Sequence, residues 1–411
     1  MYDPTFHEKT LARHLTAGDF QKDNRLFDPA FKTNAISRAV ALGRAGFPAV
    51  AFQTHKLRGK AVYQLTDIAE SLVVRHMNSN VRRITQVKQT DRQVIVDCIL
   101  RLMHEGVAFN VFKYDIKSFY ESVDTFSIID RLKLDPAFSG QSVRSLESFF
   151  VQVDQAGIQG LPRGLSISAT LSEYVLRYFD EKVTQNSRVW YYARFVDDIL
   201  IVTNQNGSIE SFDDEVKSYL PDNLEFNSKS RYYEFLPYKK SNTGAIENTF
   251  NFLGYQFAVG QSAKVEDNKR GRIVVVDLAP SKVRRLKTRF ARSLYQFRKD
   301  GNFDDLHARI RLLTSNFRFV NKTTLTPRVS GIYFNYPLVD PSTSEALKSL
   351  DKYARNLINS PAPRNRLRPA VSPSQRAQLS GLTFTSGFTE RRFFHFSSAR
   401  LADLVACWAY V

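Results

Sequence analysis

Three stretches of the chain carry the apolar runs that are typical of strands. Residues 108–114 (AFNVFKY) predict a buried strand, and residues 251–257 (NFLGYQF) predict an aromatic strand kinked at Gly254. Residues 189–202 (VWYYARFVDDILIV) form two apolar halves separated by a few residues, which predicts a hairpin. All three stretches lie before residue 260.

Helical spacing of apolar residues marks the segments around and after these strands. Residues 33–105 look largely helical, and residues 165–179 repeat small and apolar residues down one helical face. Residues 281–299 have the apolar face and the basic face of an amphipathic helix. The basic face contains Lys282, Arg285, Arg289 and Arg292. A proline-rich linker is predicted near residues 360–374, and a short strand and helix are predicted after it.

The composition and the net charge indicate what kind of protein this is and what it binds. The chain has 411 residues, of which 43% are hydrophobic and 13% aromatic, so we expect a globular protein of two or three domains. Lysine and arginine outnumber aspartate and glutamate by 58 to 41, which gives a formal charge of +17. A surplus of this size indicates a polyanionic partner, most often nucleic acid. The alternative is a basic surface that binds nothing.

The cysteine content and the hydropathy of the chain indicate the cellular compartment in which we expect the protein. Cys98 and Cys407 lie far apart without CxxC spacing, which argues against a disulfide framework or a structural zinc site. No stretch reaches the roughly 18 apolar residues of a membrane span. The first residues, MYDPTFHEKTLARH, lack the apolar core of a signal peptide. We therefore expect a cytoplasmic protein with no membrane partner.

Three aspartates are the strongest candidates for a metal-binding catalytic site. Asp197 and Asp198 are adjacent in an apolar hairpin, where two carboxylates repel each other and resist desolvation unless a cation accompanies them. Asp115 directly follows the predicted strand 108–114. Carboxylates from two strand ends suit Mg²⁺, and two such ions would serve phosphoryl transfer. The alternatives are a solvated Asp-Asp turn and a helix-capping role for Asp115.

Two further segments are candidates for binding. Residues 159–164 (QGLPRG) form a glycine-punctuated turn before a helix, which would allow a nucleotide to approach the backbone closely; an ordinary loop is the alternative. A basic cluster lies before Asp115, for which a solvated basic face is the alternative. The cluster contains Arg82, Arg83, Lys88 and Arg92.

The order and spacing of these segments resemble the reverse transcriptase family, particularly the bacterial retron, group II intron and phage-defence types. FKYDIKSFYESV resembles motif A, QGLPRGLSISATLSEYVL resembles motif B, and YARFVDDILIV resembles motif C. LEFNSKS resembles motif D, and FNFLGYQF resembles motif E, the primer grip. The resemblance covers roughly residues 60 to 260.

The resemblance implies an α+β right-hand polymerase with fingers, an antiparallel-sheet palm and an α-helical thumb. Residues 1–105 would form an N-terminal segment and fingers. Residues 106–258 would form the palm, with a returning fingers segment at about 130–160. Residues 259–320 would form the thumb, and residues 321–411 would form a helical extension.

The resemblance also implies a role for individual residues. Asp115, Asp197 and Asp198 would be catalytic and would hold two Mg²⁺ ions, with Mn²⁺ as an alternative. Tyr120 would exclude a ribose 2′-hydroxyl. The other implied nucleotide contacts are Phe119, Lys88, Arg92, Gln159, Gly160, Arg163 and Lys229. The implied primer or template contacts are Phe252, Leu253, Gly254, Arg285, Arg289 and Arg292.

Two positions depart from the family pattern. Phe195 stands where many relatives have tyrosine, so the chain has no hydroxyl to offer there. Arg163 stands where many relatives have glutamine, which puts the usual sugar contact in question.

The resemblance implies RNA-directed DNA synthesis from dNTPs on an RNA template, with a DNA product. A role in antiphage defence with a structured noncoding RNA is the leading expectation, and such enzymes can form homo- or hetero-oligomers. Two alternatives remain open. One is an RNA-dependent RNA polymerase, and the other is a catalytically idle palm that serves as an RNA-binding scaffold.

Overall fold

The computed structural model describes residues 3–57, 59–228, 230–264, 269–320, 326–359, 367 and 369–409. By their internal contacts these residues form two compact units, each built from two separate segments of the chain. The first unit contains residues 1–92 and 108–234, and the second contains residues 93–107 and 235–411. The mixture of helices with antiparallel sheets confirms an α+β class. The division into fingers, palm and thumb stays a prediction.

Helices and strands alternate along both units. The helices are α1 (Glu8–Ala12), α2 (Ala17–Lys22), α3 (Pro29–Ala45), α4 (Ile68–Thr85), α5 (Arg92–Met103), α6 (Phe119–Ser122), α7 (Thr125–Leu134), α8 (Gly140–Gln155), α9 (Ser166–Val175), α10 (Arg177–Gln185), α11 (Ile209–Ser218), α12 (Pro280–Asp300), α13 (Phe303–Thr314), α14 (Glu345–Asn359), α15 (Pro373–Ser380), α16 (Phe384–Thr389) and α17 (Ser398–Ala406), with a 3-10 helix at Asn24–Phe27. The strands are β1 (Phe52–Leu57), β2 (Lys60–Leu65), β3 (Phe109–Asp115), β4 (Val189–Phe195), β5 (Asp198–Thr203), β6 (Arg231–Phe235), β7 (Ile246–Phe252), β8 (Tyr255–Gly260), β9 (Ala263–Lys264), β10 (Arg270–Gly271), β11 (Val274–Leu278), β12 (Asn316–Val320), β13 (Pro327–Gly331) and β14 (Phe393–His395).

An antiparallel hairpin, β1 with β2, interrupts the region 33–105 that looked largely helical. The expectation was wrong for this segment because residues 52–65 lack the apolar repeat of a helix. Phe52, Tyr63 and Leu65 pack against the core, while most of β1 is exposed. Helices occupy the residues on either side, as expected.

The central sheet of the first unit has the strand order β4-β5-β3-β6. Both the buried strand predicted over 108–114 and the hairpin predicted over 189–202 are confirmed. Alternate residues of the sheet face opposite sides. The pairs Phe112↔Ile201 and Tyr114↔Ile199 belong to the main hydrophobic core of this unit. The pair Asp115↔Asp198 therefore lies on the other face, at the end of the two strands.

The helix predicted over 165–179 is confirmed, with a break. α9 ends at Val175 and α10 begins at Arg177, while Leu176 between them is fully buried. α9 packs along α4, and the Thr170 hydroxyl donates to the side-chain oxygen of Asn78 at 2.6 Å. The core of the first unit thus holds α9 firmly beside the sheet.

In the second unit, β8 lies between β11 and β7. The strand predicted to kink at Gly254 is instead two strands, β7 and β8, joined by the turn Leu253–Gly254. Both turn residues have positive φ, 45° and 86°, as a type I′ hairpin turn requires. The prediction missed the turn because leucine is rarely found with positive φ.

Arg272 ties the two segments of the second unit together. Its side chain is fully buried and donates to the carbonyl oxygens of Glu105, Val107, Leu236 and Gly260. It also pairs with the Glu247 carboxylate at 2.6 Å. Residues 93–107 are thereby fastened to the strands that follow residue 235.

The amphipathic helix predicted over 281–299 is confirmed as α12, and the short strand and helix predicted near the end are confirmed as β14 and α17. Residues 360–366 and 368 of the predicted proline-rich linker lie outside the described residues. Within the part of the chain that the structure describes, no helix is both long and apolar enough to cross a membrane.

Candidate active site

A tight turn presents two of the three aspartates. Phe195 pairs with Asp198, so that Val196 and Asp197 form the turn between β4 and β5. Val196 has a φ of 61°, which is unusual for a β-branched residue and costs on the order of 1–3 kcal/mol. Strain of this kind persists only where the surrounding structure holds it, and it concentrates at functional sites.

The third aspartate lies directly opposite this turn. Asp115 is the cross-strand partner of Asp198, a relation that places Cβ atoms about 4.5–5.5 Å apart. The backbone amide of Ile116 donates to the carbonyl oxygen of Asp197 at 3.2 Å. The backbone positions of Asp115, Asp197 and Asp198 therefore lie together at one end of the sheet.

Electrostatics set Asp197 apart. Burial raises the pKa of Asp197, and the negative charge of Asp115 raises it further, while Arg163 acts in the opposite direction. A carboxylate in this position is relieved by a nearby cation. The donor set is all oxygen, and hard oxygen ligands suit Mg²⁺.

The protein alone does not build a complete metal cage in the part of the chain that the structure describes. Among those residues, no group of three or more His, Cys, Asp or Glu side chains is arranged to hold a metal ion. Mg²⁺ commonly binds through one or two carboxylates and takes its other ligands from water and substrate phosphates. Asp115 and Asp197 fit that mode, and the metal site stays a prediction.

Asn227 fixes Asp115 from a neighbouring segment of the chain. The Asn227 backbone amide donates to the Asp115 carbonyl oxygen at 2.6 Å. Its side-chain amide donates to Asp115 Oδ2 at 3.1 Å. The sequence analysis missed this role, although Asn227 lies within the segment LEFNSKS that was compared with motif D. The bond orients one carboxylate oxygen and leaves the other available.

Arg194 contacts the turn formed by Val196 and Asp197 through a buried side chain. Its side chain is 5% exposed and makes ion pairs with Asp180 at 2.7 Å and Glu173 at 2.8 Å. Its Nη1 donates to the carbonyl oxygen of Val196 at 3.1 Å. Glu173 on α9 and Asp180 on α10 thus fix the position of Arg194, which in turn stabilises the strained turn. Sequence reasoning missed this cluster because its members are separated along the chain.

Tyr120 lies near enough to Asp197 to interact with its charge, and its ring contacts Arg163. Its ring is half-buried, and the Arg163 guanidinium carbon lies 4.6 Å from the ring centroid. Arg163 also makes two parallel hydrogen bonds to the Glu121 carboxylate, both at 2.9 Å. The bonds from Arg163 lower the pKa of Glu121 to about 2. Phe119, the residue before Tyr120, is buried in the core.

The glycines of QGLPRG serve the protein's own packing. A Cβ on Gly160 would lie 2.2 Å from the carbonyl oxygen of Tyr120, and one on Gly164 would lie 2.7 Å from that of Tyr63. Both glycines have positive φ. The Leu161 amide donates to the Tyr120 carbonyl at 2.8 Å. This loop is therefore built against the segment that carries Tyr120, and Gln159 before it is exposed.

The remaining predicted contacts are a lysine that lines a separate cavity, a lysine outside the described residues, and three residues of the second unit. Lys88 lines a cavity to which none of the three aspartates contributes. Lys229 lies outside the described residues. In the second unit, Phe252 is buried and Leu253–Gly254 form the β7–β8 turn.

The predicted basic face of α12 is partly occupied by the protein itself. The Arg289 guanidinium carbon lies 5.5 Å from the ring centroid of Trp408, and Arg292 donates to the carbonyl oxygen of Ala409 at 2.7 Å. Arg285, Arg289 and Arg292 are all half-buried. Their proposed contacts with nucleic acid stay predictions, as does the role of Arg92.

No protein-family model and no curated protein matches this chain. Among solved structures, it is similar to that of telomerase from Candida albicans in complex with the TWJ fragment of telomeric RNA. The likeness covers 81% of this chain and 66% of that chain, at 11% sequence identity and a TM-score of 0.37.

Proposed function

We propose that the chain is a template-directed nucleic acid polymerase of the reverse transcriptase kind, which copies RNA into DNA. The observation that carries the proposal is the meeting of Asp115 with Asp198 across β3 and β5, with Asp197 in the strained turn between β4 and β5. Carboxylates gathered at strand ends are suited to hold divalent cations for phosphoryl transfer. The +17 charge of the chain supports a nucleic acid partner.

The side chains have distinct tasks in this proposal. Asp115 and Asp197 hold the cations, with Asp198 as the accompanying carboxylate. Two bound Mg²⁺ ions would supply activation of a primer 3′-hydroxyl and stabilisation of the departing pyrophosphate. Asn227 keeps Asp115 oriented, and Arg194 keeps the turn in place.

Substrate choice would depend on Tyr120. Its ring is half-buried and contacts Arg163. In this proposal the ring packs beneath the sugar of an incoming nucleotide and leaves no room for a 2′-hydroxyl. We therefore propose dNTPs as substrates and DNA as product. An RNA-dependent RNA polymerase, the second candidate, would prefer rNTPs at this position.

The biological setting is proposed from sequence alone. The motifs around Asp115 and Asp197 resemble those of phage-defence enzymes, so we propose a bacterial defence role in which a structured noncoding RNA serves as template. An idle palm that acts as an RNA-binding scaffold is the third candidate. It differs from the other two in that the wild-type protein would incorporate no nucleotide.

The test is a primer-extension assay on an RNA template with dNTPs and Mg²⁺. Asp197→Asn together with Asp198→Asn should abolish extension, because the change removes the charge that holds cations but keeps side-chain volume. The matched control is Asp213→Asn with Asp214→Asn, the adjacent aspartate pair on α11 that makes ion pairs with Lys217. The control should extend primers like the wild type.

Three results would contradict the proposal. Extension by the Asp197/Asp198 variant at a rate near wild type would remove the aspartates from the mechanism. A wild-type protein that prefers rNTPs would favour an RNA polymerase. A wild-type protein that binds RNA but incorporates nothing with Mg²⁺ or Mn²⁺ would favour the scaffold.

A further inference from the structure

A cavity of about 550 Å³ lies in the first unit, between the N-terminal residues and the end of α4. Its wall includes Arg13 and Arg75, together with Arg82, Arg83 and Lys88. None of the described residues that line it is an aspartate or a glutamate. The described wall thus gathers five basic side chains without an acid among them.

The charge of Arg75 is already neutralised by a carboxylate. Arg75 binds the Asp19 carboxylate through both of its terminal nitrogens, at 2.6 and 2.8 Å. It also donates to the carbonyl oxygen of His14 at 2.9 Å. Arg75 therefore acts as a strut that fixes the N-terminal wall, and it does not contribute to the net charge of the cavity.

The other four basic side chains, those of Arg13, Arg82, Arg83 and Lys88, are exposed. Burial lowers the pKa of His14 to about 4, with further lowering from His76 and Arg75, so His14 adds no charge near neutral pH. Arg13, Arg82 and Lys88 therefore bring a formal charge of about +3 to this space.

Part of that charge is explained by the helices. Arg82 and Arg83 lie in the last turn of α4, and Arg13 is the C-cap of α1, so all three lie near helix ends that carry partial negative charge. A helix terminus amounts to about half a charge. Two such ends offset about one of the three positive charges of Arg13, Arg82 and Lys88, and a surplus of about two remains.

The fold brings basic residues from distant parts of the sequence to the wall of this cavity. Gln86 ends α4 in the left-handed conformation, with a φ of 57°, and this turns the chain so that Lys88 joins Arg82 and Arg83 at the cavity. Arg13 comes from a helix nearly seventy positions earlier. A purely solvated basic face would not require this convergence of distant segments.

We propose that this cavity is a binding site for phosphate groups, distinct from the aspartate cluster. Arginine and lysine are the side chains that bind phosphate oxygens by charge-assisted hydrogen bonds. The volume falls within the range of about 300–1,000 Å³ that small-ligand sites occupy. The phosphates belong to a nucleic acid strand or to the polyphosphate of a free nucleotide. The proposal does not rest on polymerase activity.

The test uses full-length protein without metal or dNTPs, so that its outcome is independent of the proposed polymerase. The variant replaces Arg13, Arg82 and Lys88 with glutamine. The control replaces three exposed arginines of the same unit, Arg44, Arg131 and Arg177, with glutamine. Both variants change the net charge by the same amount.

The first measurement is the affinity for a fluorescently labelled single-stranded RNA across a series of salt concentrations. If a strand occupies the cavity, the cavity variant binds more weakly than the wild type. The slope of log affinity against log salt should fall by about 0.7 for each phosphate that the variant no longer binds, or about 2 for three phosphates. The control variant should retain the wild-type slope.

The second measurement is thermal unfolding with sodium tripolyphosphate. If the site takes a nucleotide polyphosphate, tripolyphosphate raises the Tm of the wild type and of the control but not of the cavity variant. The single substitution Arg82→Gln serves as the reporter if the triple variant unfolds at a lower temperature than the control without ligand. The proposal is overturned if the cavity variant matches the control in both measurements.

Discussion

Replacing Arg194 should destabilise the first unit and disturb the aspartate turn together. The guanidinium is nearly inaccessible and makes charge-assisted bonds with two carboxylates, those of Asp180 and Glu173. Burial lowers the pKa of Arg194, but its bonds to Asp180 more than compensate, so the pKa lies above its usual value. The arginine is therefore charged in the folded state at any ordinary pH.

The magnitude follows from what remains after the cation is removed. Arg194→Met keeps most of the side-chain volume but leaves the partly buried Asp180 and Glu173 without their partner. Breaking a buried ion pair in this way costs about 3–5 kcal/mol. Domains are stable by about 5–15 kcal/mol, so the loss would be a large share of the total.

The measurement is urea unfolding of the wild type and of three variants. Arg194→Met should lower the free energy of unfolding by about 3 kcal/mol or more. Adding Asp180→Asn and Glu173→Gln to it should recover part of the loss, because neutral side chains tolerate burial better than unpaired charges. Arg194→Lys should fall between the wild type and Arg194→Met, since lysine keeps the charge but not the planar fork.

The variants also distinguish a loss of stability from a displacement of the aspartate turn. Arg194→Lys should lower primer extension more than its stability loss explains, because the bond to the Val196 carbonyl depends on the guanidinium geometry. A loss below about 1 kcal/mol in Arg194→Met, the range of exposed ion pairs, would refute the reasoning. So would a triple variant that is less stable than Arg194→Met alone.

Two further predictions concern the substrate and the duplex. Tyr120→Ala should raise ribonucleotide incorporation relative to deoxynucleotide by one or two orders of magnitude, because steric overlap costs roughly 1–3 kcal/mol and about 1.4 kcal/mol is tenfold in rate. Single-nucleotide extension with dNTP and rNTP, beside a melting curve, checks this; a parallel loss of stability and of both activities would mean that the ring only packs. Replacing Arg285, Arg289 and Arg292 with glutamine should weaken duplex binding at every sequence and reduce the salt slope by roughly one unit for each phosphate that is no longer bound. An unchanged slope would mean that these arginines serve only the C-terminal contacts at Trp408 and Ala409.

Local patterns predicted the elements that position the aspartates. The apolar runs before Asp115 and after Asp197 form the buried strands β3 and β5, and the alternation of side chains along a strand determines the face of each residue. The register between β4 and β5 was not predictable, because it depends on the turn at Val196, whose positive φ is unfavourable for valine. The hairpin of β1 with β2 escaped prediction for a related reason: β1 is mostly exposed and lacks an apolar alternation.

Long-range pairing is the part that a single sequence conceals. Arg163 was recognisable as a departure from a family pattern, but its partner Glu121 lies 42 positions away, next to Tyr120, and nothing in the sequence links the two positions. The pairing changes how Arg163 is understood. Nε and Nη2 of Arg163 both donate to Glu121, and the guanidinium lies over the Tyr120 ring. Arg163 therefore has less capacity to bind a nucleotide directly. Its effect on substrate choice would then pass through the position of Tyr120, and an Arg163→Gln variant would alter sugar selection chiefly by releasing that ring.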